Sequence, residues 1–296
     1  MKTVLLGMMT TLLLMAQGVQ AQRMKYQLEN ERMVCDITIG SHTKAHACID
    51  LGLPMHIIDS TWLAKSGLPV TTRKMHVNIP FPFLKCQNIT TSQMVREKLT
   101  INGMQTYRPV FVANLRKLSE AMKVKDMEVL LGNGLMAEDS LRTVTLFMKE
   151  QCLVWGNQDK SSNRIKAQTP LVTDSRFLIA EGSIRIVSAL NDVVTLSGRF
   201  LIDPDTPRAL TLYGGNEEVA KVISKSSIAI NVVESQYGPL TIIPKGSVES
   251  LGVMATHTDI YITTDKAIPF IGVLGREWVK KANITLNFDS MKLGCH

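Results

Sequence analysis

Two aspartates carry the chemistry that this chain could do. Asp50 ends an apolar run, Cys48-Ile49-Asp50-Leu51-Gly52-Leu53-Pro54, and a weaker copy, Leu201-Ile202-Asp203-Pro204-Asp205-Thr206-Pro207, recurs 153 positions later. Both copies have two apolar residues before the acid and a proline four residues after it. An aspartate alone at a strand end is ordinarily a turn residue that caps backbone N–H groups. A pair brought into one site is different, because two neighbouring carboxylates cannot both ionise and so hold a proton between them.

A second repeat follows each acid. Glu128-Val129-Leu130-Leu131-Gly132-Asn133-Gly134-Leu135-Met136 corresponds to Phe270-Ile271-Gly272-Val273-Leu274-Gly275-Arg276-Glu277-Trp278, and each leads into an alternating strand, Val144 to Phe147 or Ile284 to Phe288. The offset drifts from 153 to 143, counted between Gly132 and Gly275, to 140, as a duplication with altered loop lengths would give. Two matched blocks in the same order imply two similar halves that share one site.

The elements that must hold these acids read as β. Met33 to Gly40 and Lys44 to Asp50 form a hairpin around Ser41-His42, whose second arm delivers Asp50. A two-residue turn there would set Cys35 opposite Cys48, within reach of a cross-strand disulfide, against the reading of two buried thiols. Thr61 to Gly67 reads as a short helix stopped by glycine, and Val77 to Ala113 as mainly strand, with a hairpin fixed by Asn102-Gly103. The polar stretch from Gly156 to Pro170 is the expected linker. Beyond it Ser183 to Leu190 and Val193 to Asp203 form strands around Asn191-Asp192, Glu217 to Ser224 resembles a short helix, and Ile228 to Val233 with Leu240 to Ile243 continue the sheet. The class expected is all-β with a few short helices.

Composition bounds the partners. At 296 residues and 45% apolar content, each half can bury a core. Lys2, the apolar run Val4 to Ala16 and the small-residue exit Val19-Gln20-Ala21 read as a signal peptide over residues 1–21, cleaved before Gln22, which implies export to a periplasmic or extracellular space. That run is shorter than the roughly 20 residues that span a bilayer, and no later segment is long and apolar enough. Loss of Lys2 takes the formal charge from +7 to +6. The nearest basic cluster, Arg116-Lys117 with Lys123 and Lys125, lacks interleaved aromatics, so a solvated face is expected rather than nucleic-acid binding. Five cysteines without a CxxC or Cys/His pattern leave at least one thiol unpaired, and His42, His46 and His56 read as hairpin and strand residues. No metal and no cofactor is expected.

These residues resemble the retropepsin-like aspartic proteases, the superfamily of pepsin and the retroviral proteases. The family pattern is a hydrophobic strand, then Asp-Thr/Ser-Gly, then a hydrophobic-hydrophobic-Gly segment packed beneath the acid. Ile49-Asp50-Leu51-Gly52-Leu53-Pro54 matches the first part, Leu130-Leu131-Gly132-Asn133-Gly134-Leu135 the second, and Ala64-Lys65-Ser66-Gly67-Leu68 the short helix that follows. The resemblance covers most of residues 30–156 and, more weakly, 180–295. It implies a monomer of two pseudo-twofold lobes, residues 22–156 and 171–296, joined by a linker over 157–170. Asp50 and Asp203 would then be catalytic, one activating water and the other polarising a scissile carbonyl. A flap would lie between Arg73 and Arg96, around Pro80-Phe81-Pro82-Phe83.

Both loops depart from the pattern. Leu51 stands where a Thr or Ser hydroxyl ties the two loops together, and Leu51→Thr would rebuild half of that network. Pro204 removes a backbone donor, and Asp205 stands where glycine is usual. Asp205-Thr206 also reads locally as Asp-Thr, so the second acid is Asp203 or Asp205; strand register and the aligned prolines favour Asp203. Three functions stay open: a secreted aspartic endopeptidase cleaving extended peptides between its lobes, an inactive protease-like module binding peptide or protein in the same groove by strand addition, and a structural envelope protein. No Gly-x-Ser-x-Gly nucleophile motif occurs.

Overall fold

Aliphatic runs punctuated by Gly, Asn and Asp build a chain that is mostly strand. A computed structural model describes residues 22–53, 55–79, 89–106, 109–133, 143–155, 167–172, 178–235, 238–266, 270–287 and 290–295. The expected signal peptide, the Pro80-to-Phe83 part of the flap and residues 157–166 of the expected linker lie outside them.

The first half opens with β1 (Gln22–Lys25) and β2 (Gln27–Glu29), then the hairpin of β3 (Arg32–Ile39) and β4 (Thr43–Ile49), whose second arm ends at Asp50. Next, β5 (His56–Asp59) runs into helix α1 (Ser60–Ser66). The Asp59 carboxylate caps α1 by accepting from the N–H groups of Thr61 and Trp62, and Gly67, at φ 67°, ends it in the left-handed region that glycine favours. Short strands follow as β6 (Thr72–Lys74), β7 (Asn78–Ile79), β8 (Ile89–Thr90) and β9 (Gln93–Val95). The two-residue turn Asn102-Gly103, with both φ positive, joins β10 (Thr100–Ile101) to β11 (Met104–Gln105). Then come β12 (Val110–Ala113), helix α2 (Arg116–Met122) and β13 (Val129–Leu131). Except for β1, these strands form one sheet in the order β11-β10-β3-β4-β13-β5-β12-β9-β6, with β2 beside β3, while β7 and β8 pair separately.

The chain continues through β14 (Thr143–Phe147), β15 (Cys152–Trp155), β16 (Ala167–Val172), β17 (Ile179–Val187) and β18 (Val193–Ile202), which ends at Asp203. After β19 (Leu210–Gly215) and helix α3 (Glu217–Lys225) come β20 (Asn231–Ser235) and the long hairpin of β21 (Gly238–Ser250) and β22 (Val253–Lys266). Finally β23 (Gly272–Leu274) leads to helix α4 (Arg276–Val279), β24 (Ile284–Asn287) and β25 (Lys292–Cys295).

The repeat in the sequence is a repeat in the pairing. The strand before Asp50, β4, runs parallel to β13, which in turn is antiparallel to β5. The strand before Asp203, β18, runs parallel to β23, which is antiparallel to β19. Between the halves β14 and β24 pair antiparallel, with Val144 opposite Leu286, Thr145 opposite Thr285 and Leu146 opposite Ile284. That register is symmetric about Thr145 and Thr285, whose hydroxyl oxygens lie 2.9 Å apart, so a local twofold axis passes between them. The strand order β1-β15-β14-β24-β25-β16 thus joins the beginning, middle and end of the chain in one sheet. A continuous core from both halves, with Trp155, Phe200 and Trp278 fully buried, packs the two together. Each such large apolar side chain contributes about 1.5–3 kcal/mol on burial.

Two details differ from the sequence reading. The β3–β4 loop uses three residues, Gly40 (φ 64°), Ser41 and His42, so Cys48 faces Val34 and Cys35 faces Ala47. One residue of register turns the two thiols to opposite faces, where they join different core clusters, and no disulfide forms between them. Residues 167–170, expected in the linker, open β16, which pairs with β25. Helix α2 turns Leu118 and Met122 into the core and leaves Arg116, Lys117, Lys123 and Lys125 exposed, the solvated face expected of this basic cluster.

Candidate active site

Each acid is held by the same backbone framework. The Asp50 N–H donates to the Leu131 carbonyl at 2.8 Å, and the Asp203 N–H to the Leu274 carbonyl at 3.0 Å. Two residues on, the Gly52 N–H donates to Asp50 Oδ1 and the Asp205 N–H to Asp203 Oδ1, both at 3.0 Å. Leu53 and Thr206 close matching turns by donating to the Asp50 and Asp203 carbonyls, both at 3.1 Å. The same chain positions then accept from below: Asn133 N–H meets the Leu53 carbonyl and Arg276 N–H meets the Thr206 carbonyl, both at 2.7 Å. Asp203, not Asp205, is therefore the backbone counterpart of Asp50.

Glycines let the strands approach. A Cβ on Gly132 would run into the carbonyl oxygens of Leu53 and Met55, and one on Gly275 into those of Thr206 and Arg208. Only glycine lets β13 and β23 pass directly beneath the acid loops. Gly52 serves the interface itself: a Cβ there would lie 3.1 Å from Asp203 Cγ and 3.3 Å from Asp50 Oδ1.

The carboxylates converge. One oxygen from each of Asp50, Asp203 and Asp205 lies within 4.8 Å of the others. Asp50 and Asp203 are partly open to solvent, whereas Asp205 is 2% exposed and neither of its carboxylate oxygens has a hydrogen-bond partner. Burial and then the Asp203 charge push the Asp50 carboxyl up to about 7, against the opposing pull of Arg32 and of the Gly52 and Leu53 N–H groups. Burial, then Asp50 and Asp203, hold Asp205 well above the usual carboxylate range, with Arg32 and Arg276 opposing. Three hard oxygen donors this close could ligate a divalent cation. The two guanidiniums beside Asp205 already supply positive charge there.

The surrounding residues make the loops unequal. Thr206 donates its hydroxyl to Asp203 Oδ2 at 2.8 Å, while Leu53, its counterpart, has no hydroxyl. Leu51 is buried in the main core, and its counterpart Pro204 is also buried and has no hydroxyl. Leu51→Thr would meet no partner hydroxyl from Pro204, so at most the half of a network on its own side could form. The histidines have partners of their own. His46 Nδ1 lies 3.0 Å from Asp36 Oδ1, His56 Nδ1 accepts the Gly132 N–H at 3.2 Å, and His42 is exposed.

Sequence reasoning brought Asp50, Asp203 and Asp205 to this site. It missed Arg32 and Arg276, whose side chains reach the second acid loop. Arg276 follows Gly275 in the repeat and could have been found there; Arg32 gives no local sign, because its contact spans 173 positions. Among the described residues no helix is long and apolar enough to cross a membrane. No protein-family model matches the chain, and no curated protein matches it either.

Proposed function

We propose that this chain is an exported aspartic endopeptidase that hydrolyses extended peptides lying between its two halves. The observation that carries the reading is the pair of matched loops that set Asp50 and Asp203 side by side about a local twofold axis. Their unequal surroundings assign the roles. Asp203, which accepts from the Asp205 N–H and the Thr206 hydroxyl, is the carboxylate; Asp50, pushed up by burial and by Asp203, keeps the proton.

Asp203 takes a proton from a water as its oxygen bonds to the scissile carbonyl carbon, and the Asp50 carboxyl donates to the carbonyl oxygen. A tetrahedral intermediate results. Asp203 then passes its proton to the amide nitrogen while a hydroxyl of the intermediate returns a proton to Asp50, and the C–N bond breaks, giving acid and amine without an acyl-enzyme. Water supplies every atom that is added.

A second reading is favoured by one feature. Asp205 adds a third acid to the pair, and a site that retains an extra proton in place of a charged base would bind peptide without cutting it. The deciding experiment incubates purified protein lacking residues 1–21 with a mixed peptide library from acid to mildly alkaline pH, with products read by mass spectrometry. Cleavage abolished by Asp50→Asn and by Asp203→Asn, with both variants folded, supports the peptidase. Peptide binding without cleavage by the wild type identifies a binding module, and activity retained in Asp203→Asn overturns the dyad.

A further inference from the structure

Two arginines from different halves of the chain meet at the second acid loop. Arg32, in the first half, donates from Nη1 to the Asp205 carbonyl at 3.2 Å, and the same nitrogen lies 4.0 Å from Asp205 Oδ1. Arg276, in the second half and buried, donates from Nε to the Pro204 carbonyl at 2.9 Å and from Nη2 to the Asp205 carbonyl at 3.4 Å. Its Nη1 points back across the interface and pairs with Glu31 Oε2 at 3.4 Å. The sequence neighbours Glu31 and Arg32 thus engage Arg276 and Asp205 crosswise.

The first half presents its two members from a tight turn. Asn30 and Glu31 both have positive φ, at 45° and 68°, in the two-residue turn between β2 and β3. Asn30 Nδ2 donates to the Lys123 carbonyl at 2.6 Å, and Glu29 Oε1 accepts from the Lys125 N–H at 2.7 Å, so the turn is anchored on its own half. What extends from it reaches the other half. Neither Leu51 nor Pro204 brings a hydroxyl with which the loops could hold each other, so another device must fix their spacing.

We propose that Glu31, Arg32, Asp205 and Arg276 form a crossed charged clamp that positions Asp203 against Asp50, in place of a hydroxyl tie between the loops. Both guanidiniums converge on the Asp205 carbonyl and so repel, and Glu31, paired with the far arm of Arg276, offsets that repulsion. Arg32 and Arg276 are positioning residues in this arrangement, since neither has to touch substrate.

Among the described residues, the groups facing the clamp come from several elements. Asp50 and Cys48 lie at the end of β4, Asp203 beside Asp205 in its loop, and Tyr26 on the segment after β1, its hydroxyl donating to Met148 Sδ at 3.3 Å. Arg32 is the member whose positive charge opposes the burial of both Asp50 and Asp205. Its removal therefore leaves Asp50 holding its proton to still higher pH, and removal of the Glu31 charge cannot do the same.

The inference deepens the peptidase reading and rests on it only for the kinetic arm of its test. Because Arg276 is buried and its loss threatens the fold, the test is placed on Arg32 and on the exposed Glu31. Carboxyl-labelled aspartate NMR follows the Asp50 titration in wild type, Arg32→Ala, Arg32→Lys and Glu31→Gln, whether or not the protein cleaves anything. The expected result is a rise of about half a unit or more in Arg32→Ala, return most of the way in Arg32→Lys, and no rise in Glu31→Gln. Where cleavage occurs, Arg32→Ala should lower kcat about tenfold or more with KM within about threefold, the pattern of a misplaced dyad rather than lost binding. A titration that does not rise in Arg32→Ala, that is not rescued by lysine, or that rises equally in Glu31→Gln overturns the clamp. A wild type that cleaves nothing but shows the titration pattern overturns the peptidase reading alone.

Discussion

Thr206 donates its hydroxyl to Asp203 at 2.8 Å, and the residue in the matching place beside Asp50 is Leu53. A twofold framework thus carries a one-sided hydrogen bond. A bond to a charged group is worth about 1.5–3 kcal/mol, so Thr206→Val should lower kcat about 10- to 100-fold while leaving the fold intact. Leu53→Ser should act in the opposite sense on the other acid, giving Asp50 a donor and drawing the alkaline limb of the rate profile downward. Steady-state kinetics across pH checks both. Equal activity in wild type and Thr206→Val would remove the assignment of Asp203 as the base.

The elevated Asp50 carboxyl makes a claim about stability as well as rate. An unfolded aspartate titrates near 3.9, whereas the folded protein holds Asp50 up to about 7, so between those values the folded chain binds more protons. The stability this contributes is fully present at acid pH below the unfolded value. It is lost as pH rises through about 7, a loss on the order of 4 kcal/mol, and Asp205 shifts in the same direction. Denaturant unfolding at acid and neutral pH should show wild type weakening toward neutrality and Asp50→Asn weakening less. Cleavage should fall over the same range, as the pair loses its shared proton. A stability that rises from acid to neutral pH in wild type would contradict the proton-holding pair.

Much of the fold was legible because local chemistry decides it. Asn102-Gly103, the Gly67 stop and the alternating strands before each acid depend on residues close in sequence, and the β-rich class followed from them. The long β21–β22 hairpin was read only in part, since its exposed polar stretch gives little alternation until β17 and β19 supply neighbours. The β3–β4 register was missed by one residue because Gly40 joins the loop. At the site the acids were legible from the duplication, whereas the burial of Asp205 beside Arg32 depends on a contact between distant halves.

That one-residue register change has a chemical consequence. Cys35 and Cys48 point into different core clusters, and both thiols are pushed up by burial, Cys35 to about 12. Cys152 and Cys295 are also buried and unbridged. A thiol kept protonated and covered reacts slowly, so native protein treated with an alkylating reagent should leave these four cysteines unmodified, and denatured protein without reductant should label all four. Peptide mapping by mass spectrometry reads the outcome. A Cys35–Cys48 bridge found in that map would show that the hairpin has the other register.

Gly52 and Gly132 lie in one half of the chain, yet their replacement by alanine should fail in different ways. At Gly52 the added Cβ meets Asp203 Cγ at 3.1 Å and Asp50 Oδ1 at 3.3 Å, contacts that the carboxylates can relieve by moving a few tenths of an ångström. The fold can absorb that shift but a shared proton and a positioned water cannot, so Gly52→Ala should cost about tenfold or more in kcat with little change in unfolding midpoint. At Gly132 the Cβ meets the carbonyl oxygens of Leu53 and Met55, main-chain atoms that cannot move without breaking the Asn133-to-Leu53 hydrogen bond of 2.7 Å. Gly132→Ala should therefore destabilise by about 2–4 kcal/mol, in the range of overpacked cores and lost buried hydrogen bonds, with activity falling only as folded protein is lost. Paired measurements of denaturation midpoint and rate per folded molecule separate the two. If Gly52→Ala unfolds the protein while its folded fraction works at the wild-type rate, the two carboxylates do not meet over Gly52 as described.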